Sequence, residues 1–88
     1  METVLRIDPK DNLVTCLRAV KSGEEITVDG EKIKVSGDVP QFHKIAIADI
    51  PKGGICYKYG QVIGKACMDI KKGDYVHVHN LVSAKDFN

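Results

Sequence analysis

Two of the chain's three histidines lie close together in the segment YVHVHN, residues 75–80. Side chains alternate between the two faces of a strand, so an extended segment places Tyr75, His77 and His79 on one face and the two valines in the core. An imidazole titrates near neutral pH, and the Asn80 amide offers both a hydrogen-bond donor and an acceptor. We therefore predict acid–base or substrate-contacting roles for His77 and His79, with Asn80 as a further polar contact.

A metal ion is an alternative ligand for this histidine pair. Two histidines at positions i and i+2 of a strand lie about 6.5 to 7 Å apart at Cα, close enough to share one divalent ion. A metal needs at least one more ligand, for which His43 is the candidate within the chain. Because the sequence alone does not bring His43 to the pair, we assign no metal ligand to this chain. Paired histidines on an exposed strand are also often ordinary surface residues.

A second group of chemically capable residues is Phe42-His43-Lys44, at the start of the apolar segment KIAIADI. Lys44 can hold a carboxylate while His43 donates a proton to the same ligand. In the alternative interpretation, His43 bonds to a backbone carbonyl and Lys44 extends into solvent. Further along, the glycines of KYGQVIGKA are more typical of a bulge or corner than of a ligand site.

The elements that must position these residues are short strands. Segments of alternating apolar and polar residues, separated by Gly, Asp and Pro, make up most of the chain, and none sustains a helical period over several turns. The segment ITVDGEKIKV, residues 26–35, predicts a hairpin that turns at Asp29-Gly30, a dipeptide suited to positive φ angles. The sequence therefore predicts a compact all-β domain with single helical turns in its connections.

An internal repeat supports this interpretation. AVKSGEEITV, DIPKGGICYK and DIKKGDYVHV each place an apolar residue, a glycine and another apolar residue at intervals of three. The first apolar side chain can anchor a turn, the glycine can adopt a left-handed conformation, and the next apolar residue re-enters the core. Three copies predict an architecture of similar turn-to-strand corners, and only the last copy carries imidazoles at its polar positions.

Composition excludes several classes of protein. Thirteen basic residues nearly balance 12 acidic ones and form no basic stripe, which argues against nucleic-acid binding. No apolar run approaches the ~20 residues of a membrane span, and the first residues lack a signal-peptide pattern. Three unpaired, widely spaced cysteines predict no disulfide framework, so we expect a cytoplasmic protein with reduced thiols.

The motifs HKIAIADIPKG, YGQVIGKA and DIKKGDYVHVHN, in this order and spacing, closely resemble the small subunit or N-terminal domain of the altronate and galactarate dehydratase family. Members of that family carry a SAF-type domain with a β-clip fold. The resemblance covers about residues 8–81 and is strongest over 39–80. It implies a single SAF-like domain over residues 1–88, with its core at about 8–81 and a C-terminal tail at 82–88.

The resemblance also implies a hydro-lyase that removes water from a sugar acid and leaves a 2-keto-3-deoxy product. The family's functional histidines fall on His43, His77 and His79, with Lys44 as a carboxylate partner. Most of the catalytic machinery, including a divalent metal expected to be iron, would belong to a large domain or subunit that is absent from this chain. One departure concerns Phe42, because the family usually has a glycine immediately before the first histidine.

Several alternatives stay open. The chain can be a non-catalytic SAF-type binding or assembly module, since this fold serves unrelated functions, or an autonomous metal-binding protein. It can also be the small subunit of a sulfolactate sulfo-lyase, because the related sulfo-lyases resemble the same two-part plan. The acid can be altronate, galactarate, another aldonate or aldarate, or 3-sulfolactate, and the chain can be a separate subunit or an excised domain.

Overall fold

The computed structural model describes residues 3–84. Within this range the strands are β1 (Val4–Leu5), β2 (Leu13–Cys16), β3 (Glu25–Val28), β4 (Glu31–Lys34), β5 (Lys44–Ala46), β6 (Ile55–Lys58), β7 (Gln61–Ala66), β8 (Tyr75–Val76) and β9 (Leu81–Ser83). The prediction of an all-β, β-clip-like domain is confirmed, although helical geometry in the described part of the chain is limited to Ala84. Strands β1 and β9 extend the structured part beyond the predicted core of 8–81, and residues 85–88 of the predicted tail lie outside the described residues.

The largest sheet has four antiparallel strands in the order β1-β2-β5-β8. All residues of the inner strand β2, LVTC, are buried. Apolar residues on both faces suit a strand that is covered from both sides. The β3-β4 hairpin and a three-stranded sheet, β6-β7-β9, complete the fold. No helix within residues 3–84 is long and apolar enough to cross a membrane.

Two apolar cores lie on opposite faces of the four-stranded sheet. Val14 pairs with Ile45, and both belong to the first core, which also contains the buried side chains of the β3-β4 hairpin. Leu13 pairs with Ala46, and both belong to the second core, together with Cys56 of β6. Partners across an antiparallel pair share a face, whereas neighbours along one strand point to opposite faces. Side chains of β5 therefore alternate between the two cores.

Two hairpins turn through residues with positive φ angles. Asp29 and Gly30 have φ angles of 50° and 83°, and β3 pairs with β4 with Val28 opposite Glu31, so the predicted hairpin is confirmed. Tyr59 and Gly60, with φ angles of 57° and 72°, connect β6 to β7 in the same way. Positive φ at both central residues is the geometry that matches the twist of a two-residue hairpin. A bulge or corner was expected at the glycines of KYGQVIGKA, and Gly60 does lie at a corner, but the left-handed conformation of Tyr59 was not predicted.

The repeated corners predicted from the sequence share one backbone geometry. Their glycines have φ angles of 86° at Gly23, 85° at Gly53 and 95° at Gly73, a region that glycine enters without a steric cost. The apolar residues that flank these glycines in the repeat are all buried: Val20, Ile26, Ile50, Cys56, Ile70 and Val76. The prediction of repeated turn-to-strand corners is confirmed.

The second and third corners also pair with each other. Ile50 and Ile70 exchange backbone N–H to C=O hydrogen bonds of 2.8 Å in both directions. The carboxylates of Asp49 and Asp69 each accept a backbone N–H from the opposite corner, at 2.8 and 2.9 Å. This reciprocal pairing supports the corner from which β8 begins.

Asp11 fastens the turn between β1 and β2 to the turn between β6 and β7. It is only 2% exposed, and its carboxylate accepts hydrogen bonds from the backbone N–H groups of Gly60 at 2.8 Å, Asp8 at 3.1 Å and Ile7 at 3.3 Å. Burial alone would raise the pKa of Asp11, but these backbone hydrogen bonds outweigh burial and lower the pKa below its ordinary value of 3.8.

Candidate functional site

Three aromatic rings lie together at the adjoining ends of β5 and β8. The Nδ1 atom of His43 is 2.6 Å from the hydroxyl oxygen of Tyr75. The ring centroids of His43 and His77 are 4.8 Å apart, and the ring of Tyr75 is nearly parallel to that of His77, with centroids 5.7 Å apart and 8° between the planes. All three side chains are partly buried. We call His43, Tyr75 and His77 the ring cluster.

Strand pairing explains why these rings meet. Tyr75 lies opposite Ile45 across the β5-β8 pair, so its side chain shares the face of the first core and packs against it. His43 immediately precedes β5, and its carbonyl accepts the N–H of Cys16 on β2 at 2.8 Å. The ring cluster therefore lies at the edge of the first core and is anchored by backbone hydrogen bonds.

The segment YVHVHN is not a continuous strand. β8 ends at Val76, and residues 77–80 form a turn. Val76 is fully buried as predicted, but Val78 is 79% exposed. The prediction of an extended segment with both valines in the core is therefore wrong beyond Val76. The physical reason is the Asn80 side chain, whose Oδ1 accepts the backbone N–H of His77 at 3.0 Å and bends the chain.

The turn gives the two predicted catalytic histidines different surroundings. His77 is partly buried within the ring cluster, whereas His79 is exposed. The ring of His79 still lies near Tyr75, with centroids 5.7 Å apart and planes tilted by 48°. Tyr75 thus contacts both imidazoles of the segment, and His43 is brought to His77.

Asn80 has a structural role in this turn. It is only 4% exposed, and besides accepting the N–H of His77 its Nδ2 donates to the carbonyl of Tyr75 at 2.9 Å. Both ends of the amide are therefore engaged with the backbone of ring-cluster residues. The amide is thus engaged in holding the turn, and the substrate contact predicted for Asn80 from the sequence stays a prediction.

Lys44 lies on the other face of the four-stranded sheet. It pairs with Val76, a residue of the second core, while His43 belongs with the ring cluster beside the first core. Burial lowers the pKa of Lys44, the charge of Lys58 lowers it further, and Tyr59 acts in the opposite direction. The structure therefore does not bring Lys44 and His43 together around one carboxylate.

Phe42 occupies a position that suits glycine. Its φ angle is 69°, in the left-handed region, and its N–H donates to the carbonyl of Cys16 at 2.7 Å. Left-handed backbone costs a residue with a Cβ roughly 1–2 kcal/mol. The side chain is 66% exposed, so it gains little from burial in return. The departure from glycine noted in the sequence thus falls on a strained position next to the ring cluster.

A groove of about 330 Å³ opens beside the ring cluster, and Tyr75, His79 and Asn80 form part of its lining. Asp69 and Asp74 line the same groove. Two carboxylates repel an anion, so the side of the groove formed by Asp69 and Asp74 disfavours the carboxylate of a sugar acid.

A second groove, of about 340 Å³, lies away from the ring cluster and is lined by Arg6, Asp11 and Asp29, among other residues. Arg6 is paired with Asp29 and also donates to backbone carbonyls, and Asp11 is bonded to backbone N–H groups. The charges of Arg6, Asp11 and Asp29 are therefore already used to hold the fold together.

The donor atoms of the ring cluster do not fit a metal ion within this chain alone. Among residues 3–84, no group of three or more His, Cys, Asp or Glu side chains is placed to hold one. Nδ1 of His43 is already bonded to the Tyr75 hydroxyl. All three cysteines are free, and burial raises the pKa of the Cys16 thiol to about 11 and also raises that of Cys56. Neither buried thiol is therefore a reactive thiolate.

Tyr75 is the ring-cluster residue that sequence analysis left out of the predicted site residues. The spacing of Tyr75 from His77 and His79 predicted only that the three side chains share one face of a strand. The bond between Tyr75 and His43 joins residues 32 positions apart. Only the register of β5 against β8 reveals that bond.

Comparison with known proteins agrees with this fold. The family model described as the altronate/galactarate dehydratase SAF domain matches residues 2–84. The chain is 38% identical over 80 residues to altronate dehydratase of Bacillus subtilis (strain 168). This match covers 91% of this chain and 16% of that protein. It is 40% identical over 76 residues to altronate dehydratase of Escherichia coli (strain K12), covering 86% of this chain and 15% of that protein.

A shorter relative matches over most of its own length. The chain is 31% identical over 74 residues to (2R)-sulfolactate sulfo-lyase subunit alpha of Chromohalobacter salexigens, which covers 77% of this chain and 79% of that subunit. The chain thus spans less than a fifth of the altronate dehydratases that it matches, but most of a lyase subunit. Because the family model matches residues 2–84, the chain belongs to the SAF domain family of altronate and galactarate dehydratases.

Proposed function

We propose that this chain is the SAF domain or small subunit of a hydro-lyase that acts on a sugar acid. In this proposal His77 and His79 move protons, His43 contacts the substrate, and a large metal-binding domain or subunit completes the active site. The observation that carries the proposal is the ring cluster, in which two partly exposed imidazoles lie 4.8 Å apart in a domain related to dehydratases.

The chemistry of water elimination suits imidazoles. A base must remove a weakly acidic proton beside the carboxylate, and an acid must assist departure of the β-hydroxyl group. Histidine can serve in both steps near neutral pH. We leave Lys44 and Asn80 out of the substrate contacts, because Lys44 lies on the opposite face of the sheet and Asn80 holds the turn.

A larger partner is expected because the ring cluster is partly exposed and the chain cannot enclose a polyhydroxylated acid. Exclusion of water favours this type of elimination. The related altronate dehydratases are more than five times as long as the matched segment. We expect the partner to hold the divalent metal, with iron as the expected ion, which would polarise the leaving hydroxyl as a Lewis acid. We assign no ligand of that metal to this chain.

The small subunit of a sulfolactate sulfo-lyase is the second candidate. The match to most of the length of a sulfo-lyase subunit alpha favours it, since that relative is itself a short chain. In that reaction the same type of base would act, with sulfite rather than water as the leaving group. In both cases we expect the reaction in the cytoplasm, as the unpaired cysteines of the sequence suggested.

The test is co-expression with the large subunit that we expect a neighbouring gene to encode. The purified, iron-loaded complex is assayed with altronate, galactarate and 3-sulfolactate, as the wild type and as separate His77→Gln and His79→Gln variants. We expect an intact complex and a loss of kcat on the order of 10² to 10⁴ in the catalytic variants. Lys52→Ala, which changes an exposed side chain away from the ring cluster, is the matched control.

Each outcome of this test separates the candidates. Release of sulfite would assign the sulfo-lyase reaction instead of dehydration. If both histidine variants convert every acid at the wild-type rate and only bind the large subunit more weakly, the chain is a non-catalytic assembly module.

A further inference from the structure

The ring of Tyr75 contacts all three candidate histidines, His43, His77 and His79. Its hydroxyl is 2.6 Å from Nδ1 of His43, and its ring stacks on His77. Its own backbone is held by pairing with Ile45 and by the Asn80 amide. A ring that is anchored in this way can fix the orientation of the groups that it touches.

The direction of the hydrogen bond between Tyr75 and His43 follows from the chemistry of the two groups. A phenol donates a hydrogen bond more readily than it accepts one, because its oxygen lone pair is delocalised into the ring. Within residues 3–84 the Tyr75 hydroxyl contacts no acceptor other than Nδ1 of His43. A neutral imidazole carries its proton on one nitrogen, so accepting at Nδ1 places that proton on Nε2.

His77 differs from His43 in this respect. Its ring nitrogens have no hydrogen-bond partner in the described part of the chain, and its ring packs against the rings of Tyr75 and His43. It can therefore take up and release a proton without breaking an internal hydrogen bond. His43, by contrast, has its Nδ1 engaged by the Tyr75 hydroxyl and donates through Nε2. A neutral imidazole that donates in this way is better suited to polarise a substrate oxygen than to act as a base.

From these contacts we propose that Tyr75 is a positioning residue that fixes His43 as a neutral hydrogen-bond donor through Nε2, while His77 carries out proton transfer. The inference rests on the proposed function for its catalytic meaning and on the ring cluster for its geometry. The two histidines then have different roles. His43 donates a hydrogen bond to a substrate oxygen, such as a carboxylate or hydroxyl oxygen, and His77 transfers the proton.

The first test needs only the ¹⁵N-labelled chain. Long-range ¹H–¹⁵N spectra at about pH 8.5, where an imidazole is neutral, report which ring nitrogen carries the proton. We expect His43 to show the Nε2–H tautomer alone in the wild type and a mixture of both tautomers in Tyr75→Phe, which keeps the stacked ring. Tyr59→Phe, at a tyrosine that is 46% exposed, is the control and should match the wild type.

The second test uses the complex with the large subunit. Tyr75→Phe should lower kcat/KM about tenfold, mainly through KM, because the lost preorganisation weakens a substrate contact worth about one hydrogen bond. His77→Gln should act mainly on kcat. A merely structural tyrosine would leave the tautomer of His43 unchanged.

Two results would overturn the role of Tyr75: a proton on Nδ1 of His43 in the wild type, or identical tautomers and identical kcat/KM in the wild type and Tyr75→Phe. If the wild-type complex converts no acid, the proposed function fails, and the tautomer measurement alone decides whether Tyr75 positions His43.

Discussion

Replacing Asn80 by alanine removes both side-chain hydrogen bonds that close the turn after β8. The amide of Asn80 is buried, accepts the N–H of His77 at 3.0 Å and donates to the carbonyl of Tyr75 at 2.9 Å. The substitution leaves those two backbone groups without their side-chain partner. Because both groups belong to ring-cluster residues, the change should alter stability and ring geometry together.

The expected loss follows from these two bonds. One hydrogen bond contributes roughly 0.5–1.5 kcal/mol net, and a buried group that is left unsatisfied costs about 1–3 kcal/mol. We therefore expect Asn80→Ala to lower the free energy of unfolding by about 2–4 kcal/mol. Single domains have a total stability of only about 5–15 kcal/mol, so this is a large share.

Urea unfolding followed by circular dichroism measures the loss, and the NMR signals of His77 and His79 report the turn. Asn12→Ala is the matched control, because Asn12 also bonds to two backbone groups, the carbonyl of Ile55 at 2.9 Å and the N–H of Tyr57 at 2.8 Å. Asn12 is only partly buried and its bond to Ile55 is exposed, so we expect a smaller destabilisation from this control, with the signals of both histidines unchanged.

The reasoning about the turn is refuted if Asn80→Ala unfolds at the wild-type urea concentration and weakens only substrate binding by the complex. That result would restore the direct substrate contact that the sequence suggested for Asn80.

Two further substitutions test the fold around the site. Asp11→Asn points an amide at backbone N–H donors, so urea denaturation should show a loss of about 1–3 kcal/mol, and equal stability would contradict the role given to Asp11. Because folding lowers the pKa of Asp11, its contribution is present above the unfolded-state value near 3.8 and is lost as pH falls through the lower folded-state value, so acid unfolding of the asparagine variant should be less steep. Phe42→Gly removes left-handed strain of roughly 1–2 kcal/mol, offset by about 0.5–1 kcal/mol of added freedom in the unfolded chain, so thermal unfolding should show unchanged or slightly higher stability. A clear loss would mean that the exposed Phe42 ring stabilises the fold.

Sequence predicted those parts of the fold that depend on neighbouring residues. The hairpin at Asp29-Gly30 and the corner at Gly23 need only local turn chemistry and an apolar residue on each side. A corner at Gly60 was expected, but its tight two-residue form was not, because tyrosine is not a typical turn residue. That turn is supported by Asp11, which lies 49 positions before Gly60.

The candidate site shows the same limit. The alternation of apolar and polar residues correctly placed Val76 in the core. The same alternation continues to His79 in the sequence, but in the structure the Asn80 side chain ends the strand after Val76. The meeting of His43 with Tyr75, and the separation of Lys44 from both, depend on which strands pair and in which register. No local pattern contains that information.

The reciprocal pairing of the Ile50 and Ile70 corners makes the domain an indivisible module. Deleting either corner exposes the backbone groups of the other and removes the frame from which Tyr75 and His77 project. We expect such a unit to fold when it is fused to a larger chain or expressed separately, and not when its two paired corners are divided between two chains. Related proteins include both long dehydratases and a short lyase subunit, two arrangements that an indivisible module permits.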